Sequence, residues 1–129
     1  VEFAMKQLEV IVVDDQPDLA ETTGRFLRLY GHHVSVFNSG PAVLEALDHI
    51  TPHLILSDIN MPEMNGCELA IRIKQHPGCE HVILAAISGF EDEAHRQATI
   101  DAGFDYRFVK PLSPLVLQDF VQKIADHLN

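Results

Sequence analysis

Five side chains of this sequence have the types and the order that phosphorus chemistry would use. Asp14 and Asp15 follow LEVIVV, Asp58 closes LILSD, Ser88 follows HVILAAI, and Lys110 follows YRFV and precedes Pro111. Each stands where a short apolar run ends. A bare carboxylate such as Asp58 in that position needs a reason, because an apolar neighbourhood makes an unpaired charge costly. If the first and third runs are neighbouring strands, three carboxylates crowd together, and their repulsion calls for a cation. A hard divalent ion with oxygen ligands meets that need, and Mg²⁺ can be held by one or two carboxylates while it accepts a phosphate oxygen. A carboxylate can also attack phosphorus to give an acyl phosphate. Asp58 stands by itself and is the better nucleophile, whereas the paired Asp14 and Asp15 suit metal binding. Lys110 and Mg²⁺ would neutralise phosphoryl oxygens, and the Ser88 hydroxyl with backbone N–H groups around Ile59, Asn60 and Gly89 would donate hydrogen bonds.

The elements that must carry these groups alternate regularly. Leu8–Asp14, HHVSVF, HLILSD, HVILAAI and YRFV read as strands, the first covered on both faces and the second nearer an edge. Between them, Pro17–Tyr30 reads as a helix with an apolar face of Leu19, Thr22, Thr23, Phe26, Leu27 and Tyr30, closed by Gly31. Asn38 and Ser39 can cap a second helix carrying Pro41, Val43, Leu44, Leu47 and Ile50, with Pro52 as its stop. A third runs from about Gly66 to His76 with Leu69, Ile71 and Ile73 inward. The fourth, within EDEAHRQATIDAG, is the most polar, with Gly103 at its C-cap, so its composition makes it the most loosely held. The fifth, about Pro114–Leu128, repeats Leu117, Phe120, Val121, Ile124 and Leu128 at helical spacing. Five strands alternating with five helices make an α/β domain with a parallel sheet and right-handed crossovers. Ligands of such sheets bind beyond the carboxyl ends of the strands, where all five candidate residues converge.

At 129 residues and 47% hydrophobic, the chain suits one domain, residues 1–129 with a core of about 8–128. Nine Lys and Arg stand against nineteen Asp and Glu, a balance that repels nucleic acid and anionic membrane. No apolar stretch is long enough to span a bilayer and no secretory signal opens the chain, so a cytoplasmic setting is expected. Cys67 and Cys79 suggest neither a disulfide framework nor a thiolate metal site. The eight histidines form no HxxxH pair within one helix and read as surface or loop residues. No GxxxxGK[ST] supports nucleotide binding.

The set of Asp14 and Asp15, DINMPEMNG around Asp58, Ser88, and the Lys110–Pro111 pair closely resembles the receiver domain of two-component response regulators and hybrid sensor kinases, over Leu8–Leu128. That resemblance implies a doubly wound, flavodoxin-like (CheY-like) three-layer sandwich with strand order 2-1-3-4-5. It implies Asp58 as phosphoacceptor, and Mg²⁺ (with Mn²⁺ able to substitute) held by Asp15, Asp58 and the backbone carbonyl of Asn60, with Asp14 assisting through water. It further implies a phosphohistidine donor on a histidine kinase or histidine phosphotransfer domain, with the receiver catalysing the transfer and the later hydrolysis. Phosphorylation would draw Ser88 inward and remodel the face of helix 4, strand 5 and helix 5, where Tyr106 and Arg107 lie and where a homodimer would form. Met61, Pro62, Gly66 and Pro111 shape the loops of the site, and Met64 reads equally as a packing residue and as an exposed neighbour of the site.

The sequence departs from the family pattern three places before Lys110. Arg107 stands where an aromatic residue is usual, and a permanently charged guanidinium is expected to stay at the surface, beside Glu91 or Asp92, and to contribute to a partner contact. Two other functions fit parts of the pattern: a Mg²⁺-dependent phosphohydrolase with an aspartyl-phosphate intermediate, and a binding module that is never phosphorylated. Hydrolases of the haloacid dehalogenase type place a second Asp two residues after the nucleophile, where this chain has Asn60. A stand-alone regulator and a receiver excised from a hybrid histidine kinase, whose parent would be membrane-associated, look alike in sequence; the start at Val1 and the end just past the fifth helix favour excision or a tag remnant.

Overall fold

The computed structural model describes residues 7–89 and 92–128. The strands are β1 (Glu9–Val13), β2 (His33–Phe37), β3 (Leu54–Asp58), β4 (Ile83–Ser88) and β5 (Tyr106–Val109); the helices are α1 (Pro17–Leu29), α2 (Gly40–Ala46), α3 (Gly66–Gln75), α4 (Glu93–Ala102) and α5 (Pro114–His127). All strand pairs are parallel, in the order β2-β1-β3-β4-β5. Period-two alternation splits the sheet into two apolar faces. Ile11, Val13, Ile55, Leu84 and Ala86 face α2, α3 and α4, where Val43, Leu69, Ile73 and Ala102 meet them. Val10, Val12, Leu54, Leu56 and Ala85 face α1 and α5, packing with Ala20, Leu27, Leu117 and Val121. The expected order and three-layer sandwich are therefore present.

Local chemistry fixes where the helices begin. Side chains of Ser39, Asn65, Asp92 and Ser113 accept hydrogen bonds from the backbone N–H of Ala42, Glu68, His95 and Val116, each capping the helix it precedes. Gly103 closes α4 at φ 106°, a left-handed conformation that glycine adopts without steric cost. Helix ends fall one residue short of the expected ends for α1, α3 and α5, a difference of fraying. α2 is shorter, ending at Ala46 with a turn before Pro52.

Two helix faces differ from expectation. α1 buries Ala20, Gly24 and Leu27, while Leu19 is 49% exposed and Thr22 points to solvent. Small residues face the sheet because α1 lies close to it: a Cβ on Gly24 would come within 2.8 Å of Val36 Cγ2. On α3, Leu69, Ala70 and Ile73 are inward and Ile71 is exposed. Counting apolar residues overrates the large ones, since close packing selects for fit. α4 buries only Thr99 and Ala102, in keeping with its polar composition.

Candidate functional site

The register brings the strand ends level. Val13 pairs with Ser57, Asp58 with Ile87, and Ser88 with Val109, so Asp14, Asp58, Ser88 and Lys110 lie at one rim of the sheet. Asp58 is 5% exposed, and Lys110 Nζ hydrogen-bonds its Oδ1 at 3.1 Å. The same ammonium stands 3.7 Å from Asp14 Oδ2. Burial pushes the Asp58 carboxyl above its ordinary range; the Lys110 hydrogen bond pulls it back, and the charges of Asp14 and Asp15 push it up again. Lys110 is held above its usual value despite its own burial, because the Asp58 hydrogen bond and the charges of the three carboxylates outweigh that burial.

One carboxylate oxygen from each of Asp14, Asp15 and Asp58 lies within 4.8 Å of the others. A single ammonium beside three carboxylates leaves an excess of two negative charges, and the donors are all hard oxygens. That set fits a divalent cation such as Mg²⁺. Asp15 and Asp58 belong to that cluster, and the exposed Asn60 stands two residues past the end of β3.

The backbone around Asp58 is built to keep it in place. Gly66 N–H donates to Ile59 O at 2.8 Å, and a Cβ on Gly66 would fall 2.4 Å from Asp58 O, so only glycine lets α3 start this close to β3. Glu63 sits at φ 68°, with Met64 N–H bonded to Pro62 O at 2.7 Å, a tight three-residue turn between the strand and α3. Met61 is a buried core residue, and Met64 packs partly buried against the same core with its Sδ over Gly40, which decides Met64 for packing. The Lys110–Pro111 peptide is cis. Ser88 is buried at the end of β4, and its carbonyl accepts the Lys110 N–H at 2.9 Å.

Several expected details change. Ile59 N–H donates to Ile87 O at 3.3 Å, extending the β3–β4 ladder, while the N–H groups of Asn60 and Gly89 have no such bond among the described residues. Asn38 does not cap α2 but donates from Nδ2 to Asp14 O at 3.0 Å. Together with Gln16 N–H, bonded to Asp14 Oδ1 at 2.9 Å, it fixes the acidic corner. The signal for this was present, since Asn38 ends β2 as Asp14 ends β1 and the two strands are neighbours.

Arg107 is not at the surface as expected. It is half-buried on β5, with Nε and Nη2 shielded and without a hydrogen-bond partner among the described residues. β5 alternation turns Arg107, paired with Ala86, to the α4 side, while Tyr106 turns to α5 and stacks edge-on with Phe120 at 4.8 Å. Of the proposed neighbours, Glu91 lies outside the described residues, and Asp92 is taken up by capping α4 and binding His95. Among the histidines, His32 lies in the loop between α1 and β2, as a loop residue was expected to, but is only 4% exposed.

The family model of the response regulator receiver domain matches residues 10–122. The chain belongs to that family. A 14.6 kDa protein in the sodA1 3' region of Leptolyngbya boryana is 34% identical over 119 residues, covering 92% of this chain and 91% of the relative. The DNA-binding transcriptional regulator NtrC of Escherichia coli is 40% identical over 98 residues, covering 75% of this chain but 20% of the regulator. The receiver also spans only 14% of the gliding motility regulatory protein of Myxococcus xanthus. Among solved structures, the receiver domain of a signal transduction histidine kinase from Syntrophus aciditrophicus superposes with a TM-score of 0.87 at 25% identity, over 95% of this chain and 92% of that one. That of a sensor histidine kinase from Pseudomonas aeruginosa, with magnesium coordinated in its active-site cleft, gives 0.84 at 21% identity, over 93% and 98%. The receiver of two-component signalling is thus the function shown, and neither the hydrolase nor the unphosphorylated binding module is favoured.

Proposed function

We propose that this receiver takes a phosphoryl group onto Asp58 from a phosphohistidine of a histidine kinase or histidine phosphotransfer domain. One Asp58 oxygen forms the new P–O bond as the P–N bond to the imidazole breaks. Lys110, already 3.1 Å from Asp58 Oδ1, is placed to neutralise charge on the phosphoryl oxygens. The N–H groups of Asn60 and Gly89 and the Ser88 hydroxyl are the donors assigned to them, and Asp14 supports the acidic corner. Bound Mg²⁺ would neutralise phosphoryl oxygens and relieve the repulsion among the carboxylates. Ser88 then couples the phosphoryl group to the face of α4, β5 and α5, with Tyr106 and Arg107, where partners or a second copy dock. No described helix is long and apolar enough to cross a membrane, and we place this domain in the cytoplasm. Direct contact of this domain with nucleic acid is disfavoured by its excess of acids.

The observation that carries this reading is the buried Asp58, paired with Lys110 inside a three-carboxylate cluster. Incubation with acetyl phosphate and Mg²⁺, followed by intact mass, tests it. The expected result is a gain of one phosphoryl group in the wild type and none in D58N; equal gain in D58N, or no gain from either acetyl phosphate or phosphoramidate, contradicts it.

A further inference from the structure

A cavity under α4 holds two guanidinium groups, those of Arg96 and Arg107, between apolar walls that include Ile100 and Tyr106. Cations without partners are unusual in so acidic a chain. Arg25 and Arg28 pair with Glu21, whereas Arg96 and Arg107 form no ion pair among the described residues. The other polar groups of the cavity wall are engaged. Thr99 Oγ1 donates to Arg96 O at 2.7 Å, and Asp105 Oδ2 accepts the Leu84 N–H at 2.9 Å and stands 3.9 Å from Lys74 Nζ.

Arg107 carries the chemical detail. Its Nε and Nη2, the two nitrogens of one guanidinium edge, are shielded from water and have no hydrogen-bond partner among the described residues. Native folds rarely leave buried donors unsatisfied, because donors taken out of water keep the cost of that transfer. The same edge receives a carboxylate through two parallel hydrogen bonds. A single acid would satisfy Arg107 and leave Arg96 uncompensated, so the charge of the cavity matches two acid groups on one molecule. Size limits that molecule. A volume of about 220 Å³ lies below the roughly 300 Å³ at which pockets for drug-sized ligands begin. Ile100 and Tyr106, both exposed, offer apolar surface to a carbon body between the acids. α4 buries only Thr99 and Ala102, so its remaining side chains can shift at small cost to admit a ligand to the shielded edge.

We infer that this cavity binds a small organic dicarboxylate. One carboxylate lies on the Nε–Nη2 edge of Arg107, the second on Arg96, and the carbon chain between them on Ile100 and Tyr106. The site shares no side chain with the Asp58 corner and uses none of its phosphoryl chemistry, so the inference goes beyond the receiver reading and stands or falls without it.

A titration of the ¹⁵N-labelled wild-type protein with succinate, at constant pH and ionic strength and without divalent ions, tests it through amide shifts in heteronuclear NMR spectra. The shifts should cluster on residues 96–107 and give a dissociation constant on the order of 1 mM, the scale set by so few heavy atoms. Acetate lacks the second acid and inorganic phosphate lacks the carbon body, so each should bind about tenfold more weakly or worse. R107Q and R96Q should each weaken succinate binding by about tenfold, as the loss of a charged hydrogen bond implies. R25Q, which removes an exposed arginine of α1, should bind as the wild type does. A dispersed amide spectrum shows that a variant is folded, and R96Q decides by itself should R107Q fail to fold. Shifts scattered over the surface, equal binding by R96Q and the wild type, or phosphate bound as tightly as succinate would overturn the proposal.

Discussion

The buried Asp58 pairs with the half-buried Lys110, and the acid is the member that burial disfavours. Burial and the neighbouring carboxylates raise the Asp58 pKa above its ordinary 3.8, so the folded protein binds its proton more tightly than the unfolded chain does. The stability contributed by the protonated form is complete below 3.8 and is lost as pH rises through the raised folded value. At pH 7 the wild type therefore carries a cost that an amide would not. D58N is expected to melt above the wild type at pH 7 in the absence of divalent ions, and the difference should close below about pH 4; a lower melting temperature for D58N at pH 7 would contradict this. Most of this site was legible in the sequence, because Asp14, Asp15, Asp58, Ser88 and Lys110 each end an apolar run. The state of Arg107 was not, because whether a long side chain is shielded depends on how α4 lies over β5, which no local pattern records. The bond from Ile59 N–H to Ile87 O was likewise not legible, since it depends on how far the ladder extends.

At the scale of elements, the site is held by close approaches as much as by caps. α3 begins against β3 because Gly66 has no side chain, and G66A drives a Cβ toward Asp58 O. That substitution should cost about 1–3 kcal/mol in urea unfolding and slow phosphoryl uptake on Asp58; wild-type stability in G66A would show that the approach can relax freely. At the opposite edge, β1 depends on two imidazoles. Leu8 N–H donates to His32 Nδ1 at 3.1 Å and Glu9 N–H to His53 Nδ1 at 2.9 Å, so both rings must be unprotonated at Nδ1. Burial lowers the His32 pKa below its ordinary 6.5. The stability tied to its neutral form is thus present above 6.5 and is lost as pH falls below it. Thermal melts should show the wild type losing more stability than H32N between pH 7 and pH 5, by about 1 kcal/mol; parallel pH profiles would rule out His32 as the cause. Strands were easier to read than helix faces for a physical reason. A run buried on both faces is apolar along its length, as in LIL of β3, whereas α1 meets the sheet through Ala20, Gly24 and Leu27 and leaves Leu19 in water.

At the scale of the whole molecule, the alternation of strands and helices was enough to reach the doubly wound sheet, because parallel strands require crossovers of one hand. Which strands are neighbours came instead from the family resemblance, and the order β2-β1-β3-β4-β5 is what puts Asp14 and Asp58 at adjacent strand ends. The consequence is an acidic corner whose repulsion is offset only in part by Lys110. On the proposed function, this corner directs phosphorus to one oxygen-bearing side chain and depends on a divalent ion to do so. Borohydride reduction of the phosphorylated protein tests this most directly, since it converts an aspartyl phosphate to homoserine at the residue that carried it. After acetyl phosphate with Mg²⁺, peptide mapping should find homoserine at position 58 alone, and none when EDTA replaces Mg²⁺. Label at Asp14 or Asp15, or label at position 58 that EDTA leaves unchanged, would contradict the account.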